Sequence, residues 1–202
     1  MKHLKMIGLA LVAAAAFMAF AGSASAAPTL TSPNGTVYKG TLTATATASS
    51  SLLLKATFAN VTCTTSTVSG TISTNNETHA AGGISTLSFD NCGTNDVTSL
   101  KNADNTFGSL TINPKGEVFG SNSRVTILNT STGAHCIYGT TTNTKLGTFT
   151  PSSALRETTA AMTISASLPY NAESKSSQFV CGSTGSWSGT YTVTTPDTLN
   201  LA

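Results

Sequence analysis

From Thr41 onward the chain alternates. In TLTATATAS, Thr41, Thr43, Thr45 and Thr47 fall on one parity and Leu42, Ala44, Ala46 and Ala48 on the other; in AMTISASLP, Met162, Ile164, Ala166 and Leu168 share a face. A period of two belongs to a β-strand with one face buried, because successive side chains leave opposite sides of the pleat. The pattern recurs in LLLKATFANVTC, TVSGTIST, ISTLSFDNC, FGSLTI, EVFG, SRVTILN, AHCIYGT, KLGTFT and FVCG, each bounded by Gly, Asn, Asp, Ser or Pro. No window carries a convincing helical period, so there are no helices to serve as crossovers between parallel strands. The expected fold is all-β: an antiparallel β-sandwich, or a barrel-like variant of one, of about ten short strands with two disulfides. Between GSLTI and EVFG, the joint Asn113 to Gly116 (NPKG) has Pro114 at its second position and predicts a hairpin turn. The Thr/Ser runs TTTNT and ATASSS read as loops or outward strand faces.

The first residues are of another kind. MKHLKMIGLALVAAAAFMAFAGSASA has Lys2 and Lys5, an apolar run from Met6 to Ala21 and the small-residue tripeptide Ala24-Ser25-Ala26. That is the pattern of a secretory signal peptide over residues 1–26, followed by a single domain over 27–202. No later segment approaches the ~20 apolar residues that a spanning helix needs, so no membrane span is expected once the signal is removed. Secretion to an extracellular or cell-surface location follows. Such a location is oxidising, and Cys63, Cys92, Cys136 and Cys181 all lie beyond the leader. They read as two structural disulfides, with no C-x-x-C pair for zinc or redox chemistry; arithmetic leaves three pairings open.

Charge gives little hint of a partner. Lys+Arg number 10 against Asp+Glu 8, and the loss of Lys2 and Lys5 with the leader levels the balance. Without a basic patch, a nucleic-acid partner is not expected.

The only tryptophan lies in STGSWSGTYTVTT, where Trp187, Gly189, Tyr191 and Val193 share a parity opposite to the serines and threonines. Trp187 therefore points where the core points. Its rival role is a flat platform for a sugar, for which Tyr38, Tyr138 and Tyr170 would have to line up beside it. Gly185-Ser186-Trp187-Ser188-Gly189 imitates a nucleophile elbow with Trp in place of the serine, and is set aside. His79 has only Glu77 nearby and His135 adjoins Cys136, without the partners that a general base or a metal site requires. DNCGTND offers Asp90, Asn91 and Asp96 as oxygen ligands, but it lacks the glycine position and closing glutamate of a calcium loop and reads as a turn. N-x-[ST] triplets begin at Asn34, Asn60, Asn76 and Asn129, as expected by chance in so Thr-rich a chain. The T-x-T spacing of one strand is not the array that ice binding uses.

LTSPNGTVYKGTL, ISTLSFDNC, HCIYGTTTNTKLGTF, MTISASLP and CGSTGSWSGTYTVTTPDTL together span most of the chain after the leader. In these stretches it resembles a group of uncharacterised secreted bacterial proteins common in actinobacterial genomes. The middle, residues 93–125 with ADNTFGSLTINPKGEVFG, departs from them. The resemblance implies an exported all-β domain with the same four cysteine contexts, and hence sequential pairing, Cys63 with Cys92 and Cys136 with Cys181. It carries no functional residue across.

These readings point to a non-catalytic secreted or cell-surface protein with a structural, adhesive or interaction role, without catalytic residues, metal or cofactor. The alternative is a carbohydrate-binding module using Trp187 and neighbouring tyrosines. The partner is then a cell-envelope component, a polysaccharide or a second copy, because the alternating N-terminal segment could either complete its own sheet or add to a neighbour's edge.

Overall fold

The computed structural model describes residues 29–47, 53–152, 159–196 and 198–202. The leader read over residues 1–26, and Ala48 of the first alternating run, lie outside them. In chain order the strands are β1 (Leu30–Thr31), β2 (Thr41–Thr47), β3 (Leu53–Ala56), β4 (Ala59–Thr62), β5 (Thr65–Asn75), β6 (Ala80–Asp90), β7 (Asn95–Leu100) and β8 (Ser109–Ile112). There follow β9 (Glu117–Ser121), β10 (Arg124–Asn129), β11 (His135–Gly139), β12 (Thr144–Thr150) and β13 (Ala161–Pro169). A single helical turn, α1 (Gln178–Cys181), precedes β14 (Thr184–Thr195) and β15 (Asn200–Leu201).

The sequence points first to the sandwich, but the structure takes its barrel-like variant. Strands β2, β5, β6, β8, β9, β12, β13 and β14 pair antiparallel in that order, and β14 returns to β2. Closure depends on β14, whose one edge pairs with β13 from Thr184 to Thr192 while the other meets β2 near Val193 and β3 near Trp187. The curvature comes from bulges beside glycines. Register shifts fall at Ser69/Gly70, Ile72/Thr74 and Lys145/Gly147. At Gly70 and Gly82 a Cβ would lie 2.3 and 2.0 Å from a carbonyl oxygen of the facing strand, so only glycine allows β5 and β6 to approach this closely. A three-stranded sheet, β7-β10-β11, packs on the barrel by burying Val125, Ile127, Cys136 and Tyr138 in the shared core. The ends meet in β1–β15, with Leu30 opposite Leu201.

Parity was a sound guide to burial. Leu42, Ala44 and Ala46 of β2, the Met162–Leu168 series of β13 and Gly185, Trp187, Gly189, Tyr191 and Val193 of β14 all face inward. The N-terminal run completes its own sheet, because β2 sits between β5 and β14 of the same chain. NPKG forms the expected hairpin: Gly116 N–H donates to the Asn113 carbonyl at 2.9 Å, and Gly116 takes φ +75° to close the four-residue connection between β8 and β9. Both disulfides, Cys63–Cys92 and Cys136–Cys181, are sequential.

Three assignments need correction. LLLKATFANVTC is two strands, since the chain turns back at Thr57–Phe58 and β3 pairs with β4. FVCG is the α1 turn rather than a strand, pinned at Cys181 by its disulfide. NDVTSL, of which only Asn95 and Asp96 fell in the stretch read as a turn and the rest was left unassigned, is β7, an edge strand whose Asp and Asn content hides it; its partner is β10.

Trp187 is a core residue, 6% exposed, with Phe89 and Tyr191 each edge-on at 5.8 Å. Its indole N–H donates to the Tyr191 hydroxyl at 3.0 Å, that hydroxyl to Ser66 Oγ at 2.9 Å, and Ser66 Oγ to the Ser88 carbonyl at 2.6 Å. Every polar atom of this chain across the barrel has a partner, which is the condition for burying it. Trp187→Ala is expected to cost ~3–5 kcal/mol in urea unfolding, and the native emission to be blue and resistant to aqueous quenchers. A red, readily quenched native emission would contradict this placement.

Candidate functional site

An open groove of about 720 Å³ lies where the β7-β10-β11 sheet meets loops of the barrel. Four segments far apart in sequence build it. The β7–β8 connection gives Asn102 and Asp104, the start of β10 gives Arg124, the residues after β11 give Thr140–Thr142, and the β13–β14 connection gives Tyr170 and Glu173.

Local chemistry holds each in place. Asp104 accepts from the Thr106 hydroxyl at 2.7 Å and from its N–H at 3.0 Å, and the first of these bonds, then the second, lowers the carboxyl pKa below its ordinary value. Asn102 Nδ2 donates to the Asn122 carbonyl at 2.9 Å, locking one wall to the other. Asn122 bends the chain with φ +56°, a left-handed conformation that asparagine adopts more readily than most residues. Arg124 ion-pairs with Glu173 at 2.6 Å, and its side chain is 23% exposed against 64% for the glutamate. Its stem lies against Gly139, where a Cβ would meet Arg124 Cγ at 3.0 Å and the Ser123 carbonyl oxygen at 2.7 Å. Tyr170 donates its hydroxyl to the Ser176 carbonyl at 3.1 Å and its N–H to Ser183 at 2.9 Å, so its half-buried ring is fixed at the groove.

The neighbouring edge is already covered. Along β11, Ser176 Oγ accepts from His135 N–H at 2.9 Å and Ser174 Oγ from Ile137 N–H at 2.8 Å, while Asn171 N–H donates to the Ile137 carbonyl at 2.8 Å. The loop after β13 thus takes up polar groups that an added strand would need.

The residues singled out in the sequence scatter. Trp187 is inside the barrel beside Tyr191, and Tyr38, Tyr138 and Tyr170 do not line up with it as a platform. Tyr138 is buried with its hydroxyl on the Cys181 carbonyl, Tyr38 donates to the Thr41 carbonyl, and only Tyr170 reaches the groove. His79 Nδ1 lies 2.9 Å from the Thr78 hydroxyl; His135 has a buried Nδ1 with no hydrogen-bond partner among the described residues. Asp90 ends β6, with its carbonyl accepting from Thr64 N–H at 3.0 Å, Asn91 follows it into Cys92, and Asp96 lies in β7. Among the described residues no group of three or more His, Cys, Asp or Glu could hold a metal, and no helix is long and apolar enough to cross a membrane. Asn34, Asn76 and Asn129 have a physical role: each side-chain oxygen accepts the N–H two residues on, at 3.2, 2.9 and 3.1 Å, so these N-x-[ST] triplets are turns closed by the asparagine side chain.

Burial pushes the Tyr191 hydroxyl up to about 12, and burial with the neighbouring Tyr170 does the same for Tyr138. The folded state therefore holds these protons more tightly than the unfolded chain. The contribution is complete below pH ~10 and is lost as pH climbs toward about 12, at ~3 kcal/mol for Tyr191. Urea midpoints measured across that window should fall steeply, with tyrosinate absorbance rising on unfolding. A flat profile up to pH ~12 would contradict it.

Comparison with protein-family models, with curated proteins and with solved structures returned no match.

Proposed function

We propose that this is an exported, non-catalytic β-barrel protein that works by surface recognition through the groove beside Arg124, in a structural, adhesive or interaction role at the cell envelope. The observation that carries the reading is the groove itself: about 720 Å³, polar, and built from side chains already held by hydrogen bonds before any partner arrives. A prearranged surface spends little conformational entropy on binding.

Its chemistry favours holding over reacting. Asp104 is exposed and its hydrogen bonds favour the ionised form, whereas a catalytic acid needs a dry surround that keeps its proton. Glu173 is exposed and ion-paired. Export is supported by the leader pattern of residues 1–26, by the resemblance to secreted bacterial proteins and by the two disulfides, which persist in oxidising compartments. Surface exposure also suits the outer barrel wall, where Thr163, Ser165, Ser167, Thr190, Thr192 and Thr194 present hydroxyl groups.

Fractionating the producing cells tests the reading. The protein is expected outside the cytosol, trimmed near Ala26, and inactive in broad glycosidase, esterase and protease assays. A cytosolic protein, or a turnover abolished by Asp104→Asn or Glu173→Gln, would overturn it.

A further inference from the structure

We propose that the groove binds a neutral polyhydroxylated chain, a segment of polysaccharide, with Tyr170 as the flat contact and Asn102, Asp104, Arg124 and Glu173 as hydrogen-bonding partners. The inference rests on the surface-recognition reading and adds the ligand class.

Charge is the first argument. The groove holds one guanidinium and two carboxylates, and the guanidinium is already paired with Glu173 at 2.6 Å. A polyanion would have to displace Glu173 and then lie against Asp104. Nucleic acids, teichoic-type phosphates and polyuronates are therefore disfavoured.

Hydrogen-bond complementarity is the second. Sugar hydroxyls both donate and accept, so they need a wall that offers both. Here carboxylates accept, the guanidinium donates, and amides and threonine hydroxyls do either. These groups are spaced along a trough open to water rather than gathered in a closed cavity, which suits a chain passing through more than a small molecule enclosed.

Tyr170 supplies the third. Sugar rings present an apolar C–H face, and a fixed aromatic ring buries that face at small entropic cost. The Tyr170 hydroxyl is committed to Ser176 and its N–H to Ser183, so its ring is set before binding. An extended peptide fits less well, because the adjoining β11 edge is occupied by Ser174, Ser176 and Asn171.

Native electrophoresis of the signal-free protein through gels containing dextran, galactomannan, arabinogalactan or the neutral polysaccharide fraction of the producing cells' envelope is the test, with polygalacturonate as the acidic probe. At least one neutral glycan should retard the protein. Tyr170→Ala should weaken that retardation about tenfold, as loss of an aromatic anchor does. Tyr170→Phe, which keeps the ring, should bind nearly as the parent does, and near-ultraviolet dichroism from the Trp187 cluster should be native in both variants. Retardation by no neutral glycan, by polygalacturonate alone, or equally for natively folded Tyr170→Ala would overturn the proposal. If glycans fail while envelope binding still depends on Arg124, the ligand class is wrong and the surface-recognition reading stands. If a neutral glycan binds through Tyr170 but the protein is cytosolic, the export reading fails alone.

Discussion

A chain beginning at Ser49 is expected to have no native state. It would lack β1 and β2, and with them Leu30, Leu42, Ala44 and Ala46, all core residues. The topological loss is larger than the lost area. β2 pairs with β5 over seven positions from Thr41 to Thr47 and with β14 around Val193, so its removal opens the barrel and leaves two long edges, on β5 and on β14. The loss of β1 also strands the Asn75 side chain, whose amide now donates to the Leu30 and Tyr38 carbonyls at 2.7 and 2.8 Å and whose oxygen accepts from Leu30 N–H at 3.1 Å. Domains carry only ~5–15 kcal/mol of net stability, and this truncation removes more than that. Near-ultraviolet dichroism and size-exclusion chromatography should show an unfolded or aggregated chain beside a monomeric parent. A stable truncated monomer, obtained from a parent that runs as a higher assembly, would instead mean that the N-terminal strand is donated between copies.

Reduction of both disulfides should produce the next largest effect. Cys63–Cys92 ties the end of β4 to the end of β6 across 29 residues, and Cys136–Cys181 ties β11 to α1 across 45. Each loop is long enough for its closure to contribute ~2–4 kcal/mol, mostly through the unfolded chain, so the pair together contributes ~4–8 kcal/mol. The second bridge also fixes the loop whose Ser174 and Ser176 cover β11 and whose Tyr170 reaches the groove. Urea unfolding with and without reductant should therefore differ by several kcal/mol, and unreduced peptide maps should contain those two linked pairs. An unchanged midpoint after complete reduction would contradict the assignment.

The fold was legible where one local rule decided the outcome. Alternation assigned the inward residues of β2, β13 and β14, Trp187 among them, because in a half-buried strand parity alone selects the face. NPKG announced its hairpin through Pro114 and Gly116, whose conformational preferences are intrinsic. Closure of the barrel was less visible. Its sign was the glycine inside TVSGTIST and KLGTFT, read as part of ordinary strands and now seen beside the bulges that let the sheet curl, while Gly82 and Gly83, just ahead of ISTLSFDNC, were not read as strand. β7 was missed because NDVTSL is held by pairing with β10, a tertiary partner that no local window contains.

The candidate site was hardly legible at all. Asp104, Arg124 and the Tyr170–Glu173 pair come from three separate stretches of chain, and nothing in their sequence spacing brings them together; the β10–β11 register and the Asn102–Asn122 tie do. Tyr170 was noted only as a companion for Trp187, which the barrel encloses. Arg124 stands at the start of an apolar strand in a chain with few cations, a signal visible in SRVTILN yet silent about its partner Glu173, 49 residues further on.

The central claim, recognition through the groove, is tested most directly by sedimenting the purified signal-free protein with washed envelopes of the producing cells. The parent should sediment with them, whereas Arg124→Glu, which repels Glu173, and Thr141→Trp, which fills the trough, should stay in solution while keeping native near-ultraviolet dichroism. Equal sedimentation of the parent and of both folded variants would show that the groove is not the surface this protein works with.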